Sequence, residues 1–363
     1  MRTFSWIVLA LVAACGGAAI ASSGATSAPV TIAAPASTEH MLAAIEIYGT
    51  RQITLEQVLS VHGKELRELG EALMRQDASV QTRTETILAK LNEMGDFADV
   101  TPSFGGTYGP GVRKYYLALD FVDRVDAARR MPFLPAPTGT YQDPEGLIAD
   151  WQGYESKVTE LMGSGQMSPN RVNCPAFHCL GDHTNPAVKQ LAARFAALVP
   201  AHVEELSAIL RDDHDGRHRA AAAFLLAYSK DGPALVKLMV GAFRDRSALV
   251  RNNAMRVIAE VAFYHPELDV PIEPVLEALD YPATTDRNKA AAILDGLLKQ
   301  PGAAARNLPV ARRVGATLLA MLRLEQPNNH NFAYSILKTI SGKSFGERDY
   351  AAWEAWLKSC AGC

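Results

Sequence analysis

The sequence predicts a mostly helical protein in which a small α+β domain precedes a C-terminal α-solenoid of helix pairs. Three observations carry this prediction: alanine-rich segments with apolar residues at helical spacing, a motif that returns after 32 and then 36 residues, and one strand-helix-helix-strand-strand pattern. At 363 residues, the chain is long enough for two or three domains. Its net charge of -3 is too balanced for a protein that binds nucleic acid by neutralising phosphates.

The N-terminus has the pattern of an export signal. Arg2 is the only charge before Glu39, and an apolar run of roughly a dozen residues follows it, too short for a membrane-spanning helix. We therefore expect the mature protein outside the cytoplasm, in the periplasm or at the outer membrane of a bacterium.

Two cleavage patterns remain open. Ala-Ile-Ala, ending at position 21, fits removal of residues 1–21 as a signal peptide. Val-Ala-Ala-Cys, ending at Cys15, resembles the lipobox of bacterial lipoproteins, which implies removal of residues 1–14 and acylation of Cys15 as a lipid anchor. Residues 22–40 are rich in Ala, Ser, Thr and Pro, which is typical of a flexible tether.

Residues 41–130 are expected to form a small α+β domain. Its first strand should end at Gly49, a residue suited to a turn with positive φ. Thr54 and Gln57 form a capping-box sequence, so a helix is expected to start there. Its apolar residues follow a spacing near 3.6, which is interrupted at Gly63.

A second helix should follow, with Gly95 as its C-terminal stop. Two strands, 97–104 and 112–122, are expected to be joined by a glycine-rich loop. Alternation in the last strand places four apolar residues on one face: Tyr115, Leu117, Leu119 and Phe121.

This domain resembles the POTRA family over about residues 41–125, on the segments A-A-I-E-I-Y-G-T, E-M-G-D-F-A-D-V and Y-Y-L-A-L-D-F-V-D. The resemblance implies an exported module that holds polypeptides, often by adding a strand to an open sheet edge. The chain departs from the family's usual arrangement, since only one copy is present and no β-barrel follows. The alternative is an α+β domain that only caps its neighbour.

A connector, residues 131–185, begins with a run of prolines that marks a domain boundary. It contains Cys174 and Cys179, which in an exported protein predict a local disulfide. The alternative is a zinc site formed by these cysteines with His178 and His183, whose donor types suit that metal.

The repeat begins near residue 186. Each copy of its motif has an arginine with an alanine three positions later: Arg219 with Ala222, Arg251 with Ala254, and Arg287 with Ala290. Asp213 lies six residues before Arg219, and Asp245 lies six residues before Arg251. Periods in the thirties indicate helix-pair repeats, so each arginine should start the inner helix of a pair and each alanine should let neighbouring helices approach.

Residues 186–358 resemble the HEAT-repeat family in this periodicity. The ending I-S-G-K-S-F-G-E-R-D-Y-A-A-W-E-A-W-L resembles the terminal segment of bacterial HEAT-like proteins, and we interpret it as a closing cap with Trp353 and Trp356 in the core. The resemblance implies a stacked array that presents an extended concave surface to other polypeptides.

The densest polar cluster, Asp212 to Asp215 with His218, includes the i, i+4 spacing of a metal-binding histidine pair at His214 and His218. Gly216 lies between them at a helix start, so the aspartates are expected to cap free amides instead.

Residues 359–363 form a tail in which Cys360 and Cys363 have Cys-x-x-Cys spacing. Because this motif follows a helix rather than starting one, we expect a local disulfide rather than a redox centre, with a bridge to Cys174 or Cys179 left open.

Together these patterns predict a non-enzymatic envelope scaffold that binds other proteins or peptides without a cofactor or metal. No phosphate-binding glycine loop, nucleophile elbow or H-E-x-x-H motif is present. Two alternatives stay open: a redox- or metal-dependent periplasmic protein that uses the cysteine and histidine clusters, and an N-terminal domain that processes or assembles another envelope protein.

Overall fold

The structure, a computed structural model, describes residues 10–11, 39–109, 112–167 and 174–361. The predictions for Cys15, the cleavage sites and a bridge involving Cys363 lie outside the described residues. Within these ranges, no helix combines the length and the apolar character that crossing a membrane requires.

The described elements form one sheet near the N-terminus and a series of helices. The strands are β1 (Ala10–Leu11), β2 (Glu39–Tyr48), β3 (Phe97–Gly109) and β4 (Val112–Asp123). The helices before the repeat are α1 (Leu55–Arg75), α2 (Val80–Asn92), α3 (Ala127–Arg130) and α4 (Leu147–Gly163). The remaining helices are α5 (Lys189–Leu198), α6 (Val203–Asp212), α7 (Gly216–Leu225), α8 (Gly232–Gly241), α9 (Ala248–Tyr264), α10 (Ile272–Ala278), α11 (Thr284–Leu298), α12 (Asn307–Leu322), α13 (Pro327–Ser341) and α14 (Tyr350–Ala361).

Three long strands form a mixed sheet in the order β3-β4-β2, with β2 parallel and β3 antiparallel to β4. The two-residue β1 extends the sheet beside β3, where it pairs in parallel with Gly105 and Gly106. The chain is therefore mostly helical with a small α+β part, as the sequence predicts.

The local signals in the α+β domain are partly confirmed. Gly49 has φ +85° after β2, and the capping box is present, with Thr54 Oγ1 accepting from the Gln57 amide at 3.2 Å. The α1 helix runs through Gly63 without a break, because burial of its apolar face outweighs the roughly 1 kcal/mol that an interior glycine costs.

The predicted stop at Gly95 was wrong. The α2 helix ends at Asn92, and Gly95 lies in the following turn without a left-handed backbone. Its role is spatial, because a Cβ there would lie 2.6 Å from the Phe97 ring. The strands also continue into the expected loop, since β3 runs to Gly109.

The two faces of β4 are both buried. Leu117, Leu119 and Phe121 pack with α1 and α2 in one apolar cluster, with Tyr115 at its margin, which confirms the predicted shared face. On the opposite face Asp120 is fully buried. This second face packs against the helical array.

Helices pack in pairs from α6 onward: α6 with α7, α8 with α9, α10 with α11, and α12 with α13. The second helices of these pairs pack side by side in the order α7, α9, α11, α13, and α4 packs against α7. The α14 helix covers α12 at the end. Each pair thus buries the apolar surface of its neighbour, as expected for a helical repeat.

The α13 helix is a further copy of the repeat that the sequence analysis missed. His330 takes the arginine position, 43 residues after Arg287, and the fully buried Ala333 takes the alanine position. The longer interval and the change from arginine to histidine hide this copy from a search by period.

Candidate binding face of the helical array

The repeat arginines fasten the turn that leads into each second helix. Each is the fourth residue of its helix, and its guanidinium donates to the carbonyl oxygen six residues earlier. These hydrogen bonds are Arg219 to Asp213 (2.7 Å), Arg251 to Asp245 (2.8 Å) and Arg287 to Tyr281 (3.1 Å). Because a backbone carbonyl is the acceptor, the position does not require aspartate, and Tyr281 serves as well.

The same arginines also join successive repeats. Arg219 pairs with Asp245 at 2.7 Å and Arg251 pairs with Asp286 at 2.7 Å. Both pairs are at least nine-tenths buried. We call this series, with its continuation at Arg287, the arginine ladder.

The α+β domain completes the arginine ladder. Arg287 pairs with Asp120 of β4 at 2.6 Å, and both side chains are fully buried. Asp120 also accepts from the Thr284 hydroxyl at 3.0 Å, and the Arg287 guanidinium lies 3.8 Å from the centre of the Tyr48 ring. A strand of the first domain therefore supplies the carboxylate that a neighbouring repeat supplies elsewhere.

Glu46 of β2 makes a second contact between the two parts. Its Oε2 accepts from the amides of Glu325 at 2.8 Å and Gln326 at 3.3 Å, directly before α13. Burial raises the pKa of Glu46 to about 7, although these two amides act in the opposite direction.

The connector covers the same edge of the array. Phe133 lies under the Arg251 guanidinium, 3.9 Å from the ring centre, and the Leu134 amide donates to the Arg244 carbonyl oxygen at 2.8 Å. Gly139 donates to the Asp212 carbonyl at 2.9 Å and accepts from the His214 amide at 2.7 Å. The N-terminal ends of α7, α9 and α11 are thus occupied by the protein's own chain.

The cysteine loop contains a disulfide between Cys174 and Cys179. His178 points elsewhere: its Nδ1 lies 2.6 Å from Glu260 and its ring stacks on Phe224. The two sulfurs are bonded to each other and are not free thiolates for zinc. Within the described residues no group of three or more His, Cys, Asp or Glu side chains has metal-binding geometry, and His183 lies apart from His178.

The other predicted clusters have structural contacts. Asp215 caps α7 by accepting from the Arg217 amide at 2.7 Å, while His214 and His218 both lie 3.5 Å from Asp213. At the C-terminal end, Trp353 is fully buried and donates to the Gly346 carbonyl at 2.9 Å. Trp356 packs against its edge with ring centres 6.4 Å apart.

One stripe of α9 combines charged side chains with an exposed aromatic ring. Arg256, Glu260 and Phe263 follow one another at spacings of four and three residues, so they form a single stripe on this helix. Phe263 is 42% exposed, which is uncommon for phenylalanine in this structure. Because Glu260 contacts His178, we give the name α9 free face only to Arg256 and Phe263.

Arg256 is the cation of the α9 free face. Its guanidinium lies 5.4 Å from the Phe224 ring centre, and no hydrogen bond or ion pair within 4 Å joins it to the other described residues. Glu155 of α4 and Glu260 act on it at longer range, while burial lowers its pKa. Burial also raises the pKa of Glu155, and Arg256 opposes that shift.

Lys289 of α11 lies beside this stripe. It is 8% exposed, and its ammonium donates to Asn288 Oδ1 at 2.8 Å. Burial and the neighbouring Arg256 charge lower the pKa of Lys289 to about 7. A desolvated ammonium without a carboxylate partner is costly, which makes this position chemically distinctive.

Sequence reasoning missed several of these residues. Asp120 and Glu46 gave a weak signal, because each is an acid at a strand position whose neighbours are apolar. Lys289 also gave one, because the equivalent position 36 residues earlier is the neutral Asn253.

No protein-family model matches this chain, and no curated protein matches it either.

Proposed function

We propose that this protein is a non-enzymatic scaffold of the bacterial envelope that binds other polypeptides along its helical array. In this proposal the array is HEAT-like and the N-terminal domain is POTRA-like, on the sequence resemblances given above. The partners are other envelope proteins or peptides, and the export signal supports a periplasmic or outer-membrane location.

The observation that carries the proposal is the contrast between the two surfaces of the second-helix layer. At the edge where these helices begin, the charged side chains form buried ion pairs and contact the connector, as with Arg287 and Asp120. The α9 free face instead combines the exposed ring of Phe263 with Arg256, which has no hydrogen bond or ion pair among the residues that the structure describes. Arginine and aromatic side chains together are typical of surfaces that bind proteins.

The edge of β3 is a second candidate surface for the same function. β3 is an outer strand of the three-stranded sheet, and β1 pairs with it at only two positions, Gly105 and Gly106, counted over the residues that the structure describes. The backbone groups of an edge strand can hydrogen-bond an added strand, which supports the use implied by the POTRA resemblance.

Site-specific photocrosslinking in the native envelope tests the proposal. A photoreactive phenylalanine analogue at Phe263 is expected to give a discrete adduct with another polypeptide. Leu308, on the first helix of another pair, is the matched control because it is 41% exposed. The proposal fails if position 263 gives no adduct, or if position 308 gives the same adducts with equal yield.

A further inference from the structure

The region between α9 and α11 contains two cations that the fold does not neutralise directly. The helices are held in register at both ends: Arg251 pairs with Asp286, and a Cβ on Gly296 would lie 3.1 Å from Ala262 Cβ. This register sets Arg256 level with the turn of α11 that begins at Lys289. The two charges are close enough that Arg256 disfavours the charged form of Lys289.

Equivalent positions of the repeat show that the fold does not require a charge at Lys289. In the preceding repeat the corresponding pair is Asn252 and Asn253, whose side chains hydrogen-bond to each other at 3.0 Å. In the next repeat that contact becomes Lys289 to Asn288 at 2.8 Å. A neutral amide thus satisfies the same geometry, and the lysine adds a buried charge that costs stability.

The N–H donors of these two cations are not all used. The Lys289 ammonium donates one of its three N–H groups to Asn288, and the Arg256 guanidinium makes no hydrogen bond to another described residue. The carboxylates that act on these two cations have other partners or are disfavoured as anions. Glu260 lies 2.6 Å from His178, Asp286 pairs with Arg251 at 2.7 Å, and burial raises the pKa of Glu155.

We propose that Arg256 and Lys289 bind a carboxylate of a partner polypeptide, with Phe263 contacting an apolar side chain of the same segment. This inference rests on the proposed scaffold function and specifies the chemistry of its partner. Phe263 lies seven residues after Arg256, so the two are separated by about 10 Å along the helix. An extended segment covers about 10 Å in three residues, which places the apolar side chain three residues before a C-terminal carboxylate.

A peptide pair tests this site. The probe is acetyl-Leu-Ala-Ala-Ala with a free C-terminal carboxylate, and its control is the same peptide with a C-terminal amide. Titration of the full mature chain, followed by NMR of the lysine side chains, should show the acid binding at least about tenfold more tightly than the amide. The acid should also raise the pKa of Lys289, since a bound carboxylate favours the charged ammonium. Equal affinity for acid and amide overturns the proposal.

Two substitutions locate the effect. Lys289→Met should abolish the preference for the acid while keeping or raising the melting temperature, because it removes a buried charge. Lys299→Met is the control on the same helix, since Lys299 is half exposed and pairs with Asp295 at 2.6 Å. It should leave the preference unchanged. A Lys289→Met protein that melts lower than the wild type, or that retains the preference, refutes the site.

The outcomes separate this inference from the proposed function. If the acid peptide binds as expected but position 263 yields no crosslinked polypeptide, the carboxylate site stands and the scaffold function fails. If the crosslinks persist unchanged in Lys289→Met and the peptides bind equally, the scaffold stands and the carboxylate site fails.

Discussion

Asp120 is the residue whose loss should most clearly separate the two parts of the protein. Replacing it with alanine leaves Arg287 fully buried without its carboxylate and removes the acceptor of the Thr284 hydroxyl. Removing one partner of a buried ion pair costs about 3–5 kcal/mol. This amounts to a factor of about 10² to 10³ or more in the equilibrium between docked and undocked domains.

Guanidinium denaturation followed by circular dichroism measures this loss, and proteolysis of the connector reports the undocked population. Asp96→Ala is the control within the same domain, because Asp96 and Arg124 are both more than half exposed. Such an exposed pair contributes at most about 1 kcal/mol. Combining Asp120→Leu with Arg287→Met should recover much of the lost stability, since two apolar side chains leave no unpaired charge. If Asp120→Ala lowers the free energy of unfolding no more than Asp96→Ala does, Asp120 is not the essential buried partner of Arg287.

Three further predictions follow from the same contacts. Because the pKa of Glu46 is raised to about 7 in the folded protein, the unfolded state releases its proton first and stability should fall as pH rises from 4.5 to about 7. The free energy of unfolding should fall by about 3 kcal/mol over this range, and Glu46→Gln should remove this part of its pH dependence. If the dependence of stability on pH is unchanged in Glu46→Gln, the prediction is wrong. Replacing both Cys174 and Cys179 with serine should lower the free energy of unfolding by about 2 kcal/mol, because the disulfide closes a short loop in the unfolded chain. The metal content measured by elemental analysis should not change, and metal bound by the wild type alone would refute the structural role of this disulfide. Trp353→Ala should cost about 3–5 kcal/mol in thermal denaturation, and Trp356→Ala clearly less, because only Trp353 is fully buried; equal losses would contradict the assignment of Trp353 to the core.

Local chemistry made the α+β elements predictable. The capping box at Thr54, the turn at Gly49 and the alternation of Leu117, Leu119 and Phe121 each depend on neighbours in the sequence, and all three are present in the structure. The expectation at Gly95 was wrong because it treated glycine as a helix stop. In the structure the close approach of the Phe97 ring explains the glycine there.

The docking of the domains was not predictable in this way. The partner of Arg287 lies 167 residues earlier in the chain, at Asp120, and no periodicity connects the two. Lys289 was missed for a related reason: a lysine in a helix is ordinarily solvated, and only the packing of α9 and α11 buries this one. The repeat search found the arginines but not the histidine that replaces them at position 330.

The closure of the arginine ladder by β4 has a consequence for biosynthesis. Synthesis proceeds from the N-terminus, so the strand bearing Asp120 exists well before Arg287 does. Until then the carboxylate must stay hydrated on an unfinished sheet face. Joining the two is a long-range event with a high entropic cost, so maturation of the protein should end with this step. A quality-control protease that cuts the connector would therefore distinguish finished molecules from those that have not yet closed.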